Sequence, residues 1–174
     1  VVGLSREIPT ARKLEAGATE STFRLGGLPL TRFTVETGAS ETEITFDEPN
    51  PAVMERLEIR LGAASLEARQ LGNAAAETIV VEGAVGEATL DFTGRWTRDA
   101  EARVKMGLGS LTLRIPENLG VRIHKRGLLT SFSGLGLRKA DDGSYRTPDW
   151  ESAEHRLDLT VDAAFGNVEV EVVE

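Results

Sequence analysis

The chain has 174 residues, of which 40% are hydrophobic, and a formal net charge of −8 at pH 7. This length and hydrophobic content allow one folded domain with a sizeable core and argue against intrinsic disorder. The acidic balance disfavours nucleic-acid binding, which depends on neutralisation of phosphates by Lys and Arg. Because the chain contains no cysteine, disulfides, thiolate metal ligands and a cysteine nucleophile are excluded.

The chain begins with its least regular stretch. Residues 1–32 contain short apolar pieces separated by Pro and Gly, such as Pro9, Gly17 and Pro29. We predict one or two strands here that cap the domain. The predicted organisation is therefore a capping segment, 1–32, followed by a repeat domain, 33–174, with an insertion at 133–155.

From residue 33 onward, stretches of alternating apolar and polar residues recur around small-residue centres. In Ala102–Ile115, ARVKMGLGSLTLRI, the alternation breaks at Gly107 and Gly109 and then resumes. Such alternation is typical of half-buried strands. Centres about twenty residues apart indicate units that bury their apolar faces by stacking on their neighbours. We predict an all-β single domain of stacked glycine-centred β-hairpins or β-solenoid (β-helix-like) rungs.

Glycines at the repeat centres are expected to shape the bends, because glycine adopts positive φ without the penalty of a Cβ. The pair Gly107 and Gly109 lacks the third glycine and the following helix of a dinucleotide-binding fingerprint. No phosphate-binding loop or cofactor site is therefore predicted. The predicted structural turn glycines are Gly38, Gly62, Gly83, Gly107, Gly109 and Gly127.

The insertion at 133–155 contains a strong turn signal, Asp141-Asp142-Gly143, and is predicted to form a hairpin. One interpretation is that this hairpin covers an end or a face of the stack. The other is that it carries a binding site, as loops on rigid scaffolds often do. A final rung, Leu157–Val172, follows the insertion.

Sequence motifs for catalysis are missing. His124 and His155 occur in no usual metal-binding spacing, and neither G-x-S-x-G nor S-x-x-K is present. Strand-face carboxylates such as Glu87 and Glu169 could act in polysaccharide cleavage, but outward polar residues are also what solubility requires. We therefore predict no catalytic residues, no metal ligands and no enzyme.

Charge is segregated along the chain. Residues 118–140 contain five basic residues and no acid, whereas residues 157–174 contain five acids and no base. Three interpretations of this segregation are possible. The basic segment could dock on an anionic polymer or lipid, stacks could pair end to end, or the basic face could pair with a neighbouring rung. The candidate surface for an anionic partner comprises Arg122, Lys125, Arg126, Arg138 and Lys139.

The chain has few aromatic residues, and three of them lie between or after the rungs. Trp96, Tyr145 and Trp150 could pack against the core or act as stacking platforms for carbohydrate. They are the candidate aromatic contacts.

The glycine-centred alternating repeats resemble a known family. The arm VKMGLGSLTLRIPENLGVRI and the closing LDLTVDAAFGNVEVEV are similar to bacterial toast-rack and putative-adhesin type repeat domains, which are related in style to the C-terminal domain of cell-wall-stress response proteins. The similarity covers roughly residues 33–172. It is weakest at Lys125-Arg126-Gly127 and in the insertion.

This resemblance implies an all-β stack in the cell envelope, extracytoplasmic or anchored to a membrane through a segment outside this chain. It implies a non-enzymatic scaffold, adhesin-like or stress-sensing module, with an envelope polymer, a membrane surface or a protein as partner. A carbohydrate-binding or carbohydrate-cleaving β-helix is an alternative that would use the three aromatics. A filament of stacks joined end to end is another, since stack ends are exposed strand edges.

Overall fold

A computed structural model describes residues 9–16, 20–38, 41–127, 129–134 and 136–174, and within them the protein forms one twelve-stranded sheet. The strands explain the alternating sequence pattern, because successive side chains point to opposite faces. The predicted all-β, solenoid-like fold with a hairpin insertion is confirmed. The strands are β1 (Thr10–Ala16), β2 (Ser21–Arg24), β3 (Leu30–Thr37), β4 (Glu41–Thr45), β5 (Met54–Arg69), β6 (Ala76–Asp91), β7 (Ala100–Pro116), β8 (Gly120–Arg126), β9 (Leu129–Gly134), β10 (Arg138–Lys139), β11 (Tyr145–Arg146) and β12 (Arg156–Val173), with a 3₁₀ helix at Leu71–Ala74.

Each long strand is one bent rung of the stack. Strand β5 ends at Arg69 and β6 begins at Ala76, yet Ala76 pairs in parallel with Met54 at the start of β5. A straight strand of this length would extend about 50 Å, which the six intervening residues could not cross. The strand therefore bends back, and its two arms enclose the core between them.

The rungs do not stack in chain order. Strand β12 pairs in parallel with β7 on one side and with β8 and β9 on the other, so the last rung is inserted between two earlier ones. The rung formed by β8 and β9 is thereby displaced to one end. The end of the stack is a suitable position for the rung of β8 and β9, because Lys125 occupies a core-facing register position in β8. Inward-pointing charges are common on edge strands.

The core consists of apolar columns that run through the stack. Phe33, Leu57 and Ile79 occupy one register position on neighbouring strands, and all three side chains are buried. Val104 and Leu113 belong to parallel columns on the two arms of β7. Each rung thus buries its apolar face against its own opposite arm and against the neighbouring rungs, and the repeat pattern predicts this contact between rungs.

The two ends of the stack differ. Strands β1 and β2 pair in parallel with β3 and β4 at one end. At the other end, β10 and β11 form an antiparallel hairpin, and β11 pairs with β8. The insertion therefore extends the sheet beyond β8, at this end of the stack.

Bends in the long strands are built on a column of glycines that differs from the predicted one. Gly86, Gly109 and Gly166 lie side by side with φ of 144°, 142° and 150°. Among the predicted turn glycines, only Gly109 and Gly127 have positive φ. The prediction that glycine is needed for a positive φ is therefore wrong for Gly38, Gly62, Gly83 and Gly107. At Gly107 the constraint is close packing, because a Cβ would overlap the carbonyl oxygen of Ala84.

Candidate functional site

Most of the predicted site residues lie at one end of the stack, which we call the hairpin end: β8, the β10–β11 hairpin and residues 147–155. Arg122, Arg146 and Arg138 occupy one register position on β8, β11 and β10. They form a row of guanidinium groups on the outer face of the sheet. Thr147 fixes the following loop to β8, because its hydroxyl accepts a hydrogen bond of 2.9 Å from the Val121 amide.

Acidic residues from the insertion and from β12 partly neutralise this row. Arg122 forms an ion pair with Asp158, and Arg146 contacts Asp142 at 2.7 Å and Glu151 at 3.5 Å. The third arginine, Arg138, is exposed and has no ion pair within the described residues.

The five predicted basic residues do not form one surface. Arg122 and Arg126 point to the outer face of β8, whereas Lys125 occupies a core-facing position and its Nζ lies 5.7 Å from the Phe132 ring centroid. Arg138 and Lys139 are exposed on the outermost strand, and Lys139, like Arg138, has no ion pair among the residues described. Arg138 and Lys139 therefore form the exposed cationic pair of the outermost strand, one on each of its faces, and Arg126 of β8 is also exposed.

The hairpin turn that presents this pair is organised by Asp142. Its carboxylate accepts hydrogen bonds from the Ser144 hydroxyl at 2.6 Å, the Ser144 amide at 2.9 Å and the Arg146 guanidinium at 2.7 Å. The bonds from Ser144, reinforced by the charge of Arg146, hold the pKa of Asp142 well below its usual value.

Asp142→Asn is expected to loosen the turn, because the neutral amide keeps at most part of this network. The hydrogen bond from the Ala140 amide to the Ser144 carbonyl oxygen, 2.8 Å, should open more often, so amide exchange at Ala140 should accelerate. In the native protein the protection factor of this amide should decrease as pH falls below about 4, since the stabilisation from a depressed carboxyl pKa is complete only above the unfolded pKa and is lost progressively below it. Unchanged exchange in Asp142→Asn, measured beside the neighbouring Asp141→Asn, would contradict this role.

Trp150 lies at a groove between the loop 147–155 and the first arms of β6 and β7. The guanidinium carbons of Arg122 and Arg156 lie 4.9 and 5.9 Å from the Trp150 ring centroid. Arg156 also donates a hydrogen bond of 3.0 Å from Nε to the Trp150 carbonyl oxygen. The groove is lined by Glu77, Thr78, Arg98, Asp99, Ala100, Glu101, Trp150, Arg156 and Asp158.

The carboxylates of this groove are bound by donors of the protein itself. Glu77 pairs with Arg98 at 3.1 Å, and Asp99 accepts a hydrogen bond of 2.9 Å from the Arg156 amide. Asp158 contacts both Arg122 and His124. The groove therefore combines one indole with a set of paired charges.

The other two candidate aromatics are not brought to this groove. Trp96 packs against the core from the connection between β6 and β7, and its indole N–H donates a hydrogen bond of 2.8 Å to the Phe92 carbonyl oxygen. Tyr145 packs against Phe132, with ring centroids 4.5 Å apart. The structure thus provides no row of three aromatic platforms among the described residues.

Sequence reasoning missed the residues that complete these contacts. Arg146 and Arg156 were not predicted because acidic residues lie near them in the sequence. Only the fold places Arg146 in the arginine row and Arg156 against Trp150. It also missed two buried asparagines, Asn50 and Asn73, although their spacing of 23 residues repeats that of the rungs.

Two further features are missing from the described residues. In this part of the chain there is no cluster of three His, Cys, Asp or Glu side chains that could hold a metal ion.

Among these same described residues, no helix is sufficiently long and apolar to span a membrane.

Comparison with solved structures shows the same fold elsewhere. A putative cell adhesion protein from Clostridium sporogenes ATCC 15579 superposes with a TM-score of 0.68 at 11% sequence identity. The similarity covers 98% of this chain and 96% of that protein. No curated protein matches the sequence significantly.

Comparison with family models gives the assignment. The model of the N-terminal domain of toast_rack, DUF2154, matches residues 1–67 and again residues 50–114. These two matches overlap by less than one rung and together span well over half of the chain. The double match agrees with the structural repeat, since both halves of the matched region contain parallel rungs. The chain therefore belongs to the toast-rack N-terminal domain family, in agreement with the resemblance of its repeats.

Proposed function

We propose that this protein is a non-catalytic module of the bacterial cell envelope whose hairpin end binds an anionic envelope polymer. Membership of the toast-rack family supports an envelope role, and the structural relative that carries the name of a cell adhesion protein is in line with one. The stacked rungs share one core, so the module can serve as a scaffold that holds a partner at one end.

The observation that carries this proposal is the exposed cationic pair on the outermost strand of the hairpin end. Arg138 and Lys139 lie beyond the last rung and form no ion pair with described residues. A guanidinium group binds phosphate or carboxylate through two parallel hydrogen bonds, and an ammonium group adds a point charge. A polymer with repeated phosphate or carboxylate groups can bind both, because Arg138 and Lys139 lie on opposite faces of an exposed edge strand around which such a chain can pass.

Binding of the purified chain to anionic wall polymer is the direct test. We expect salt-sensitive binding that Arg138→Gln/Lys139→Gln weakens at least tenfold, because surface charge interactions are screened by salt and depend on the charges present. The matched control is Arg12→Gln/Arg24→Gln, which removes the same charge from β1 and β2 at the opposite end. Equal losses in both variants, or binding that neither variant changes, would contradict the proposal.

The same experiment separates the possible partners. Vesicles containing anionic lipid, tested beside wall polymer, would show binding of the native chain but not of the double variant if the headgroups alone are the ligand. Retention of a single envelope protein, with neither polymer nor lipid bound, would instead make a protein the partner and overturn the proposal of a polymer.

A second candidate function is carbohydrate binding at the Trp150 groove. It is favoured by the indole beside Asp99 and Glu101, since sugars stack on aromatic rings while polar groups bind their hydroxyls. Trp150→Ala should then abolish binding to a neutral glycan, and moderate salt should leave that binding unchanged. Binding that salt removes would assign the ligand to the cationic pair instead.

A further inference from the structure

An apolar ridge runs along the outside of the bend that joins the two arms of the rungs. Val85, Leu108 and Phe165 lie side by side on β6, β7 and β12, and their exposed fractions are 47%, 50% and 51%. Ala63 of β5 continues the row in register and is also exposed. We call these four residues the corner ridge. Within the described residues, the one other large hydrophobic side chain with comparable exposure is Val53, at 43%.

The corner ridge is not required by the bend itself. The close packing there is made by the neighbouring glycine column, at Gly86, Gly109 and Gly166, whereas the ridge side chains extend into solvent. A small or polar residue would serve the turn equally well. A contiguous apolar row on adjacent strands is the kind of exposed surface that marks an interaction site.

A row of alternating charges accompanies the corner ridge on the first arms. The row is in register across seven strands. It begins with Glu15 of β1, which repeats the sign of Glu36, and from Glu36 onward the signs alternate across six strands. Arg60 contacts Glu36 at 2.9 Å and Glu82 at 3.8 Å, so part of the row is paired within the chain. The alternating part of the row, which we call the charge ladder, is Glu36, Arg60, Glu82, Lys105, Asp162 and Arg126.

The four ridge residues and the six members of the charge ladder have the same midpoint, between β6 and β7. Leu129 of β9 continues the ridge register beyond Phe165, and Glu15 of β1 continues the charged row beyond Glu36. Reversal of the charge ladder about this midpoint places Glu82 opposite Lys105 and Arg60 opposite Asp162. Its outer members, Glu36 and Arg126, also meet, so each of the six positions faces the opposite sign, and Glu15 lies beyond the end of the other copy's ladder. The same reversal places Val85 opposite Leu108, and the smallest ridge residue, Ala63, opposite the largest, Phe165.

We propose that the corner ridge is the interface between two copies of this chain, packed antiparallel about a twofold axis between β6 and β7. A twofold interface must be self-complementary, and both the alternating charges and the small-to-large order of the ridge meet that requirement. This inference is independent of the proposed polymer binding, which concerns the hairpin end.

A parallel arrangement of the two ridges is less favourable. It would bring the charge ladder of one copy against the far side of the ridge in the same rung of the other. Glu87 follows Val85 and Gly86 on that far side, so Glu82 of the same rung would meet a like charge. In the antiparallel arrangement the far sides face each other, with Glu87 opposite the uncharged Ser110.

The dimer should be weak and dependent on concentration, because four ridge side chains bury far less surface than a standard interface of about 1,600 Å². Disulfide trapping suits such a dimer, and the natural chain offers a background with no cysteine. In the antiparallel arrangement, Ala63→Cys/Phe165→Cys should form a covalent dimer under mild oxidation. Ala63→Cys alone should not, since the two cysteines would be about 14 Å apart along the stack of rungs, too far to form a disulfide.

A parallel dimer would give the reverse result, with cross-linking of Ala63→Cys alone. No cross-link in either variant, together with a monomer at all concentrations in the second measurement below, would overturn the proposal.

Charge reversal provides that second measurement, by sedimentation equilibrium at several protein concentrations. Lys105→Glu should weaken the dimer at least tenfold, because it creates two contacts between like charges with Glu82. Adding Glu82→Lys should restore most of the affinity, since the opposite signs return across the axis. Arg95→Glu, an equal charge change at an exposed residue away from the ladder, should have little effect. A monomer at all concentrations, or equal losses in both single variants, would overturn the proposal.

Discussion

Gly109→Ala is expected to lower the free energy of unfolding by about 4 kcal/mol, the sum of a strained φ and an overpacked contact at typical values. Gly109 has φ of 142°, a region that side chains rarely adopt, and a Cβ at this position would overlap the carbonyl oxygen of Gly86. The obstacle is backbone, so the neighbour cannot move aside as a flexible side chain would. Gly166 stacks on the other side of Gly109 in the same conformation, which transmits any shift to β12.

Thermal unfolding followed by circular dichroism would measure this effect. For a domain of this size, about 4 kcal/mol corresponds to a fall in melting temperature of about 8–16 °C. Two control variants separate the causes: Gly143→Ala has a positive φ of 82° but no atom near the position that its new methyl group would take, and Gly38→Ala has open space without positive φ. If Gly109→Ala were no more destabilising than Gly143→Ala, the stacked glycine column would not limit stability.

This glycine column shows how far the sequence could lead. Alternation and the repeat of about twenty residues correctly predict the bent strands and their buried columns. They do not distinguish Gly107 from Gly109, because both follow the same apolar arm and only the register with Ala84 and Gly86 assigns their different constraints. Local pattern fixes which face of a strand is buried, while the close contacts at a bend depend on the neighbouring rung.

The order of the rungs could not be predicted for a related reason. Strand β12 carries the same alternation as β7, so nothing in its local pattern selects a position between β7 and β8. The candidate site suffers from the same limitation. The basic stretch contains no acid in sequence, but Asp142 and Asp158 reach it from the insertion and from the inserted rung, and they neutralise Arg146 and Arg122. What remains of the predicted surface is the pair at Arg138 and Lys139, together with the exposed Arg126 on β8.

Asn50→Ala is expected to cost about 3–5 kcal/mol of stability, because the carbonyl oxygens of Leu30 and Ala74 and the Ala52 amide lose their bonds to the side chain, at about 1–3 kcal/mol each. The Leu30 amide, in contrast, keeps a bond of 2.8 Å to the Leu28 carbonyl oxygen. Asn50 lies in the connection that closes the first complete rung, and its side chain is only 8% exposed. Its amide nitrogen donates hydrogen bonds to the carbonyl oxygens of Leu30 at 2.8 Å and Ala74 at 3.1 Å. Its side-chain oxygen accepts from the amides of Leu30 at 3.3 Å and Ala52 at 2.9 Å.

These bonds connect three consecutive turns of the solenoid at the corner where the chain has no strand pairing of its own. Asn73 repeats the arrangement one rung later, with a hydrogen bond of 2.7 Å from its amide to the Phe46 carbonyl oxygen. Stacked side-chain amides thus supplement the backbone bond of 2.8 Å from the Asn50 amide to the Asn73 carbonyl oxygen at this corner, which explains why a polar residue is retained in a buried position.

Urea denaturation of three variants would test this role. Asn118→Ala, at an exposed asparagine in a later connection, should be nearly neutral. Asn50→Asp keeps the acceptor oxygen but loses both donated bonds, and it places a carboxylate against two carbonyl oxygens, so it should destabilise at least as much as Asn50→Ala. If Asn50→Asp were instead close to the native protein, the two donated bonds would contribute little, and the corner would be held by packing and by its other hydrogen bonds.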